Sequence, residues 1–360
     1  VKSLKPLRQR IDRLDDKILE LLNERSKVVQ QVYEVKVRHA QSAPSQAFVP
    51  GREAEILRRL KAKNKGPFPE AGIDPVFSEI ISACRSLEIS PRIAYFGQAL
   101  SNTHQAALVR FGSQGDYVPS IAISSVFEEV EQGRCDYGVV PVENSTEGII
   151  NHTFDLFVDS DLKVCSEISL AIRHHLLASR SDLKKVRVVQ SHPQALAQCR
   201  RWLDRNLPGV PQKAVASTSL AAELAAKDKS GRTAAIAADL AAKHYALKPL
   251  ARNIQDQGDN TTRFFVIGRT ISQPTGKDKT SVMLSIRDKV GALASVLKPF
   301  EKNKVNLSSI ESRPSRRKAW DYFFFVDFHG HQLDPKVARL LKDLSARVAQ
   351  LKVLGSYPAA

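Results

Sequence analysis

Three polar phrases in the 360-residue chain stand where a strand gives way to a turn, and their side chains suit the handling of a small anion. In Gly258–Gly268, GDNTTRFFVIG, two threonines and an arginine run directly into the apolar run Phe264, Phe265, Val266 and Ile267. Thr261, Thr262 and Arg263 can therefore face a ligand at the lip of a sheet, where sites in open α/β folds lie. Pro141-Val142-Glu143-Asn144-Ser145 leaves a second apolar run and heads for a helix near Gly148, so Asn144, Ser145 and free backbone N–H groups could bind an anion. Ser191-His192-Pro193, with Gln198 less than two turns further on, also lies between strand and helix. Each phrase alone reads as capping; three on strand-exit loops of one segment point to a shared site.

A different set of charges lies near the N-terminus. Leu4, Leu7, Ile11, Leu14, Ile18, Leu21, Val28, Val32 and Val35 recur at three- and four-residue steps, which predicts one long helix spanning roughly 50 Å. That exceeds the width of a small domain, so the helix is expected to pack on a partner chain. Arg25 and Lys36 are three turns apart on one face, while Arg8 lies about 25 Å further up. One small ligand cannot touch Arg8 and Lys36 of the same chain, but it can touch Arg8 of an antiparallel partner. A second helix is expected to begin near Arg52, and a third to open with Asp74 as N-cap and Pro75 at its first position.

The elements that position these residues follow from the change of period. From residue 92 short apolar runs (RIAYFG, YGVVPV, RVVQ, TAAIA, RFFVIG) alternate with helical patterns, which predicts an α/β region of two lobes around a cleft. SQPTGKDK, residues 272 to 279, reads as a linker. Beyond it the order is β-α-β-β-α with a closing strand at LKVLGSY, a small antiparallel sheet with helices on one side. The expected domains are 1–90, 92–271 and 278–360.

Bulk composition narrows the classes. No apolar run of about 18 residues and no secretory leader is present, so a cytoplasmic protein is expected, with no membrane partner. The four cysteines are widely spaced and show no metal-ligand pattern with the nine histidines; they read as buried thiols, with no metal and no cofactor expected. The net charge of +16 favours anionic partners. Basic residues are interleaved with acidic ones and lack the aromatic-and-basic pattern of nucleic-acid modules, so no nucleic acid is expected.

With these motifs in view, LRQRIDRLDDKILELLNERSKVV, PGREAEIL and ISACRSLE resemble the all-helical chorismate mutase domain. The resemblance implies that Arg25, Lys36, Arg52 and Glu53, with Arg8 from a second subunit, surround chorismate, and that Cys84 and Glu88 line the remaining wall. A Claisen rearrangement needs a folded conformer and positive charge at the breaking C–O bond, which arginines and a lysine supply. Glu88 can donate to the ether oxygen only when protonated, so mutase activity is expected to fall as pH rises.

VVPVENSTEG, VVQSHPQALAQCRRWL and NTTRFFVIG resemble prephenate dehydratase over residues 92 to 270. The resemblance implies that Thr262 assists departure of the ring hydroxyl, that Glu143, Asn144, Ser191 and Gln198 line the pocket with Ser145, and that Arg263 helps hold a carboxylate. Because a threonine hydroxyl is a poor acid, either it donates within a network or Glu143 carries the proton. One stretch departs from the family. Relatives read roughly G-P-x-G-T-F-S where this chain has Gly97-Gln98-Ala99-Leu100-Ser101-Asn102-Thr103. Leu100 takes a positive φ only at a cost, so either the loop is rebuilt or the dehydratase is weakened; Ser101 and Thr103 are retained in kind.

The last segment resembles the ferredoxin-like ACT regulatory domain. Gly291-Ala292-Leu293 and Glu311-Ser312-Arg313-Pro314 match its phenylalanine-binding motifs, which implies feedback inhibition by phenylalanine bound between paired domains. The expectation is a homodimeric, multidomain, bifunctional enzyme of phenylalanine biosynthesis acting on two dicarboxylates, chorismate and prephenate. The alternative is an aromatic amino-acid sensor whose catalysis is weakened, which the Gln98 to Asn102 loop favours.

Overall fold

The computed structural model describes residues 4–39, 48–286, 290–314 and 322–359, which fall into two compact units. Residues 4–92 with 108–116 form one; residues 93–107 with 117–359 form the other.

The first unit holds α1 (Leu4–His39), α2 (Pro50–Lys63) and α3 (Ile73–Ser86). Helix α1 runs 36 residues, about 54 Å, without a proline inside its later turns. Its inner stripe, Leu22, Arg25, Ser26, Val29, Tyr33 and Lys36, is half-buried, and Ser26 Oγ lies 3.5 Å from Cys84 Sγ on α3. The stripe that defined the helix in the sequence is a different one, and it is bare: Leu14 is 51% exposed and Leu21 64%. Asp74 is not the cap of α3. Gly72 holds that position, and the Asp74 carboxylate pairs with Lys61 at 2.6 Å.

The next elements are β1 (Arg92–Phe96), α4 (Asn102–Phe111), whose last residues from 108 on count with the first unit, β2 (Asp116–Ser120), α5 (Ile123–Glu131), β3 (Tyr137–Asn144), β4 (Gly148–Ile149), α6 (Asn151–Asp159) and β5 (Lys163–Ala171), the first lobe of the second unit. A second lobe follows with β6 (His175–Ala178), β7 (Val188–Ser191), α7 (Pro193–Gln198), α8 (Arg200–Asn206), β8 (Gln212–Ala214), α9 (Thr218–Lys227), β9 (Thr233–Ala237), α10 (Asp239–His244) and β10 (Lys248–Ala251). The chain then returns to the first lobe as β11 (Thr261–Gly268).

The first-lobe sheet has the order β2-β1-β3-β11-β5 and the second-lobe sheet β10-β6-β9-β7-β8. The chain thus crosses between lobes twice, after β5 and before β11. The crossings are tied together, Ile172 N–H donating to Asn260 O (2.8 Å) and Ile254 N–H to His174 O (2.8 Å). Strands β3 and β11 are central and covered on both faces, which explains why YGVVPV and FFVI read as continuous apolar runs rather than alternating ones.

The last elements are β12 (Asp278–Ile286), α11 (Ala292–Lys302), β13 (Leu307–Pro314), β14 (Tyr322–His329), α12 (Pro335–Ser345) and β15 (Gln350–Pro358), with sheet order β13-β14-β12-β15. Val282, Leu284 and Ile286 face α11 and α12 through Val296, Phe300, Val337 and Leu340. The alternate residues, Met283, Phe323, Phe325 and Tyr357, share one core with Phe154, Phe157 and Phe265 of the first lobe. Residues 272 to 279, composed like a linker, are pinned: Ser272 donates to Cys165 O (2.6 Å), and Asp278 accepts from Thr275 N–H (2.7 Å) and Gly276 N–H (3.0 Å). The two sheets approach closely enough at Gly355 that a Cβ there would lie 2.0 Å from Val164 O.

Candidate active sites

The larger site is a cleft of about 670 Å³ between the two lobes of the second unit. The β1–α4 loop, the end of β3, the crossings, β11 and the N-termini of α7 and α9 line it. Thr262 and Phe264 enter it from β11, Asn144 from β3, Ser101 and Thr103 from the β1–α4 segment, and Gln198 from α7.

A directed chain of hydrogen bonds joins Asn144, Thr262 and Gln198 with Asn260 and Glu147. Asn144 Oδ1 accepts from the N–H groups of Thr146 (2.9 Å) and Glu147 (3.0 Å), which fixes the orientation of its amide. Its Nδ2 therefore donates, to Asn260 Oδ1 (2.8 Å) and to Thr262 Oγ1 (2.7 Å). Because Thr262 receives that hydrogen, its own proton is left to donate into the cleft. Asn260 Nδ2 continues the chain to Gln198 Oε1 (3.2 Å), and Gln198 Nε2 donates to Glu147 (3.1 Å). The His174 ring also meets Gln198 Oε1, at 2.8 Å, so its proton sits on Nε2. Burial lowers the His174 pKa and, against the bond to Gln198, keeps the ring neutral.

Several expected residues stand elsewhere. Strand alternation turns Arg263 to the opposite face from Thr262. Its guanidinium meets Glu167 at 2.9 Å and Asp327 at 2.6 Å, with Tyr357 Oη at 3.1 Å, so it holds the regulatory sheet rather than a substrate carboxylate. Glu143 pairs in register with Arg263 and shares that face, which removes it as proton carrier in the cleft. Its charge bears on Glu311 of β13, whose pKa is raised by burial and by Glu143. Ser191 is fully buried and donates to Ile236 O (2.7 Å). Ser145 donates to Asp259 O (2.9 Å) and accepts from Thr261 N–H (3.0 Å), locking the β3 exit to β11. The N–H of Ser145 donates to Thr261 O (2.9 Å) and those of Thr146 and Glu147 to Asn144 itself, so that turn is not the free anion nest its sequence suggested.

The loop that departs from the family carries a positive φ at a residue with a side chain. Leu100 itself adopts φ 67°. Its N–H donates to His104 Nδ1 (3.0 Å), and its side chain, 8% exposed, is buried against the second-lobe core of Leu177, Ala221 and Ala235. Burial offsets the backbone strain, and Gln98 Oε1 accepts from Ser217 across the cleft at 3.1 Å. Sequence reading missed His174, Glu147, Asn260 and the first turn of α9; TSLAAELAAK read as an Ala-rich helix that needs no special function.

In the first unit Glu53 is bound by the buried Arg85 at 2.6 Å. Burial raises the Glu53 pKa, opposed by Arg110, Arg85 and Arg25. Arg25 Nη1 is buried with no hydrogen-bond partner among the described residues. Lys36 is half-buried on the same face. Arg52 instead forms an exposed pair with Glu55 (2.7 Å), and Arg8 is exposed. Helix α3 ends at Ser86, so Glu88 sits in the following turn, its N–H on Arg85 O (2.9 Å), rather than one helical turn beyond Cys84.

On the regulatory sheet Gly291 takes a left-handed φ of 77° at the start of α11, with Ala292 buried and Leu293 39% exposed. On β13 Ser312 and Pro314 are exposed and Glu311 half-buried, whereas Arg313 turns to Asp155 of α6 (2.7 and 2.8 Å).

Three family models match successive parts of the chain. A chorismate mutase type II family model matches residues 7–89, a prephenate dehydratase model residues 93–272 and an ACT-domain model residues 280–346. The bifunctional chorismate mutase/prephenate dehydratase of Aquifex aeolicus is 48% identical over 100% of this chain and 99% of its own length. That of Pseudomonas aeruginosa is 44% identical over 99% of this chain and 98% of its own. The crystal structure of prephenate dehydratase from Arthrobacter aurescens in complex with L-Phe is 33% identical, with a TM-score of 0.68 over 75% of this chain and 90% of that one. The chain belongs to the bifunctional chorismate mutase/prephenate dehydratase family, an isomerase and a lyase on one polypeptide with an ACT regulatory domain.

Proposed function

We propose that Thr262 is the hydrogen-bond donor to the departing ring hydroxyl of prephenate. The observation that carries this is the direction of the chain from Asn144, which fills the Thr262 acceptor and leaves its proton free. Decarboxylation drives an electron pair into the ring, the C–O bond breaks at the opposite carbon, and one proton is taken up as hydroxide leaves as water. Aromatisation supplies the driving force; the cleft orients the dianion and stabilises charge growing on the leaving oxygen. Ser101 and Thr103, at the start of α4, are placed to meet the substrate from the first lobe.

For the mutase, the uncovered stripe of α1 is the face on which a second copy packs, bringing Arg8 of the partner subunit to Arg25 and Lys36. The unpartnered Arg25 Nη1 supports a carboxylate ligand there. Phenylalanine is the effector, held at Gly291 to Leu293 and Glu311 to Pro314, and the enzyme works in the cytoplasm. Among the described residues no helix is long and apolar enough to cross a membrane. Incubation with chorismate, following prephenate and phenylpyruvate separately, tests both activities. Absence of turnover with retained phenylalanine binding would favour the sensor instead.

A further inference from the structure

Prephenate carries two carboxylates, yet among the described residues lining the cleft there is no arginine or lysine. Arg263, the cation nearest in sequence to Thr262, is committed to Glu167 and Asp327. The anion must therefore be met by hydroxyls, amides and backbone N–H groups, and the first turn of α9 presents two of these, hydroxyls and backbone N–H groups.

Helix α9 is 10 residues long and opens on Ser217 as N-cap, whose Oγ accepts from Leu220 N–H at 3.0 Å. The first-turn N–H groups of a helix have no intrahelical acceptor. With that of Leu220 capped, those of Thr218 and Ser219 are left for a ligand, at the positive end of the helix dipole. The independent observation is Ser219 itself: it is 6% exposed, it lines the cleft, and its Oγ has no hydrogen-bond partner among the described residues. A buried hydroxyl without a partner is costly, and a bound acceptor removes that cost.

We propose that the N-terminus of α9 is the subsite for the keto-acid carboxylate of the substrate, with Ser219 Oγ–H and the N–H groups of Thr218 and Ser219 as its donors. This rests on the dehydratase reading of the cleft. The choice between the two carboxylates follows from the reaction. The ring carboxylate must shed its charge to leave as CO2, so a strong anion site around it would hold the ground state back. The keto-acid carboxylate keeps its charge from substrate to product, so it can be gripped throughout without penalty to the chemical step.

The test uses the full-length enzyme with Ser219→Ala, measuring prephenate turnover and inhibition by phenylpyruvate, which retains only the keto-acid carboxylate. The KM for prephenate and the inhibition constant of phenylpyruvate are expected to rise together, roughly tenfold to a hundredfold for one lost bond to a charged group. Ser219→Thr, which keeps the hydroxyl, should restore most of the affinity, and this separates a ligand contact from a folding defect. Unchanged constants in Ser219→Ala overturn the subsite. Weakened prephenate with unchanged phenylpyruvate overturns its assignment to the keto-acid carboxylate. If the unmodified enzyme makes no phenylpyruvate at all, the dehydratase reading fails instead, and calorimetric binding of phenylpyruvate to the two variants still decides the subsite.

Discussion

Thr262 and Arg263 are neighbours on β11, yet the Thr262 hydroxyl lies 2.7 Å from Asn144 Nδ2 in the cleft while the Arg263 guanidinium lies 2.6 Å from Asp327 on the regulatory sheet. One strand therefore carries the proposed donor on one face and the anchor of the regulatory domain on the other. We hypothesise that effector binding reaches the cleft through this strand; paired structures with and without phenylalanine in which Thr262 stays fixed would remove that idea.

Arg263 should matter for stability and for response to phenylalanine more than for turnover. Glu167 and Asp327 are buried; Glu167 keeps Lys279 at 2.8 Å when Arg263 is removed, but Asp327 loses its cation, a cost of about 3–5 kcal/mol. Arg263→Met is expected to lower the urea midpoint and weaken phenylalanine inhibition. Arg263→Lys should rescue it only partly, because an ammonium cannot reach Glu167, Asp327 and Tyr357 Oη together. A normal inhibition curve in Arg263→Met would show that the ion pairs are only mortar.

Leu100→Gly removes a strained backbone and a buried side chain at once. The left-handed conformation costs roughly 1–2 kcal/mol for a residue with a Cβ, whereas deleting a buried leucine side chain costs about 2–5 kcal/mol. The second effect wins, so the variant should be less stable by urea denaturation despite restoring the glycine that relatives carry. Greater stability would mean that the contact with Leu177 and Ala221 contributes little.

Gly355→Ala places a methyl group where Val164 O stands 2.0 Å away, and a backbone carbonyl cannot swing aside. The two sheets should separate or the variant should fail to fold. Limited proteolysis of residues 269 to 277 gives the readout: faster cutting is expected, and unchanged protection would show that the sheets can shift to make room.

Acid should weaken the second unit before it titrates carboxylates. Burial lowers the pKa of His104, His174 and His175, opposed at His174 by Gln198 and at His175 by Asp239. The unfolded chain takes up protons near pH 6.5 while these rings stay neutral in the fold. Their stabilising contribution is full above that pH and is lost as pH falls toward the folded values. The urea midpoint should drop between pH 7.5 and 5.5, and less so in His174→Gln; an equal drop would exclude His174 as a contributor.

Much of the architecture was legible because the period of apolar residues changes from helical to strand-like at residue 92, and the order of the last six elements is as the turns and patterns indicated. The faces were less legible. Alternation along a strand does place 262 and 263 oppositely, but only the neighbouring sheet reveals which face meets substrate. Thus Glu143, expected as a proton carrier, and Arg263, expected to hold a substrate carboxylate, face or serve the regulatory contact. Conversely, Ser219 and Asn260 looked like routine polar residues, since what distinguishes them is burial and partner count. Leu100 shows the same limit: its strain was visible in the sequence, its compensating pocket was not.

The most direct test follows two products in one vessel. Thr262→Val should convert chorismate to prephenate at the normal rate and then stall, phenylpyruvate formation falling about 10²–10³-fold for loss of a donor to the leaving oxygen, while Thr262→Ser retains much of it. Phenylpyruvate appearing at a near-normal rate from Thr262→Val would contradict the account.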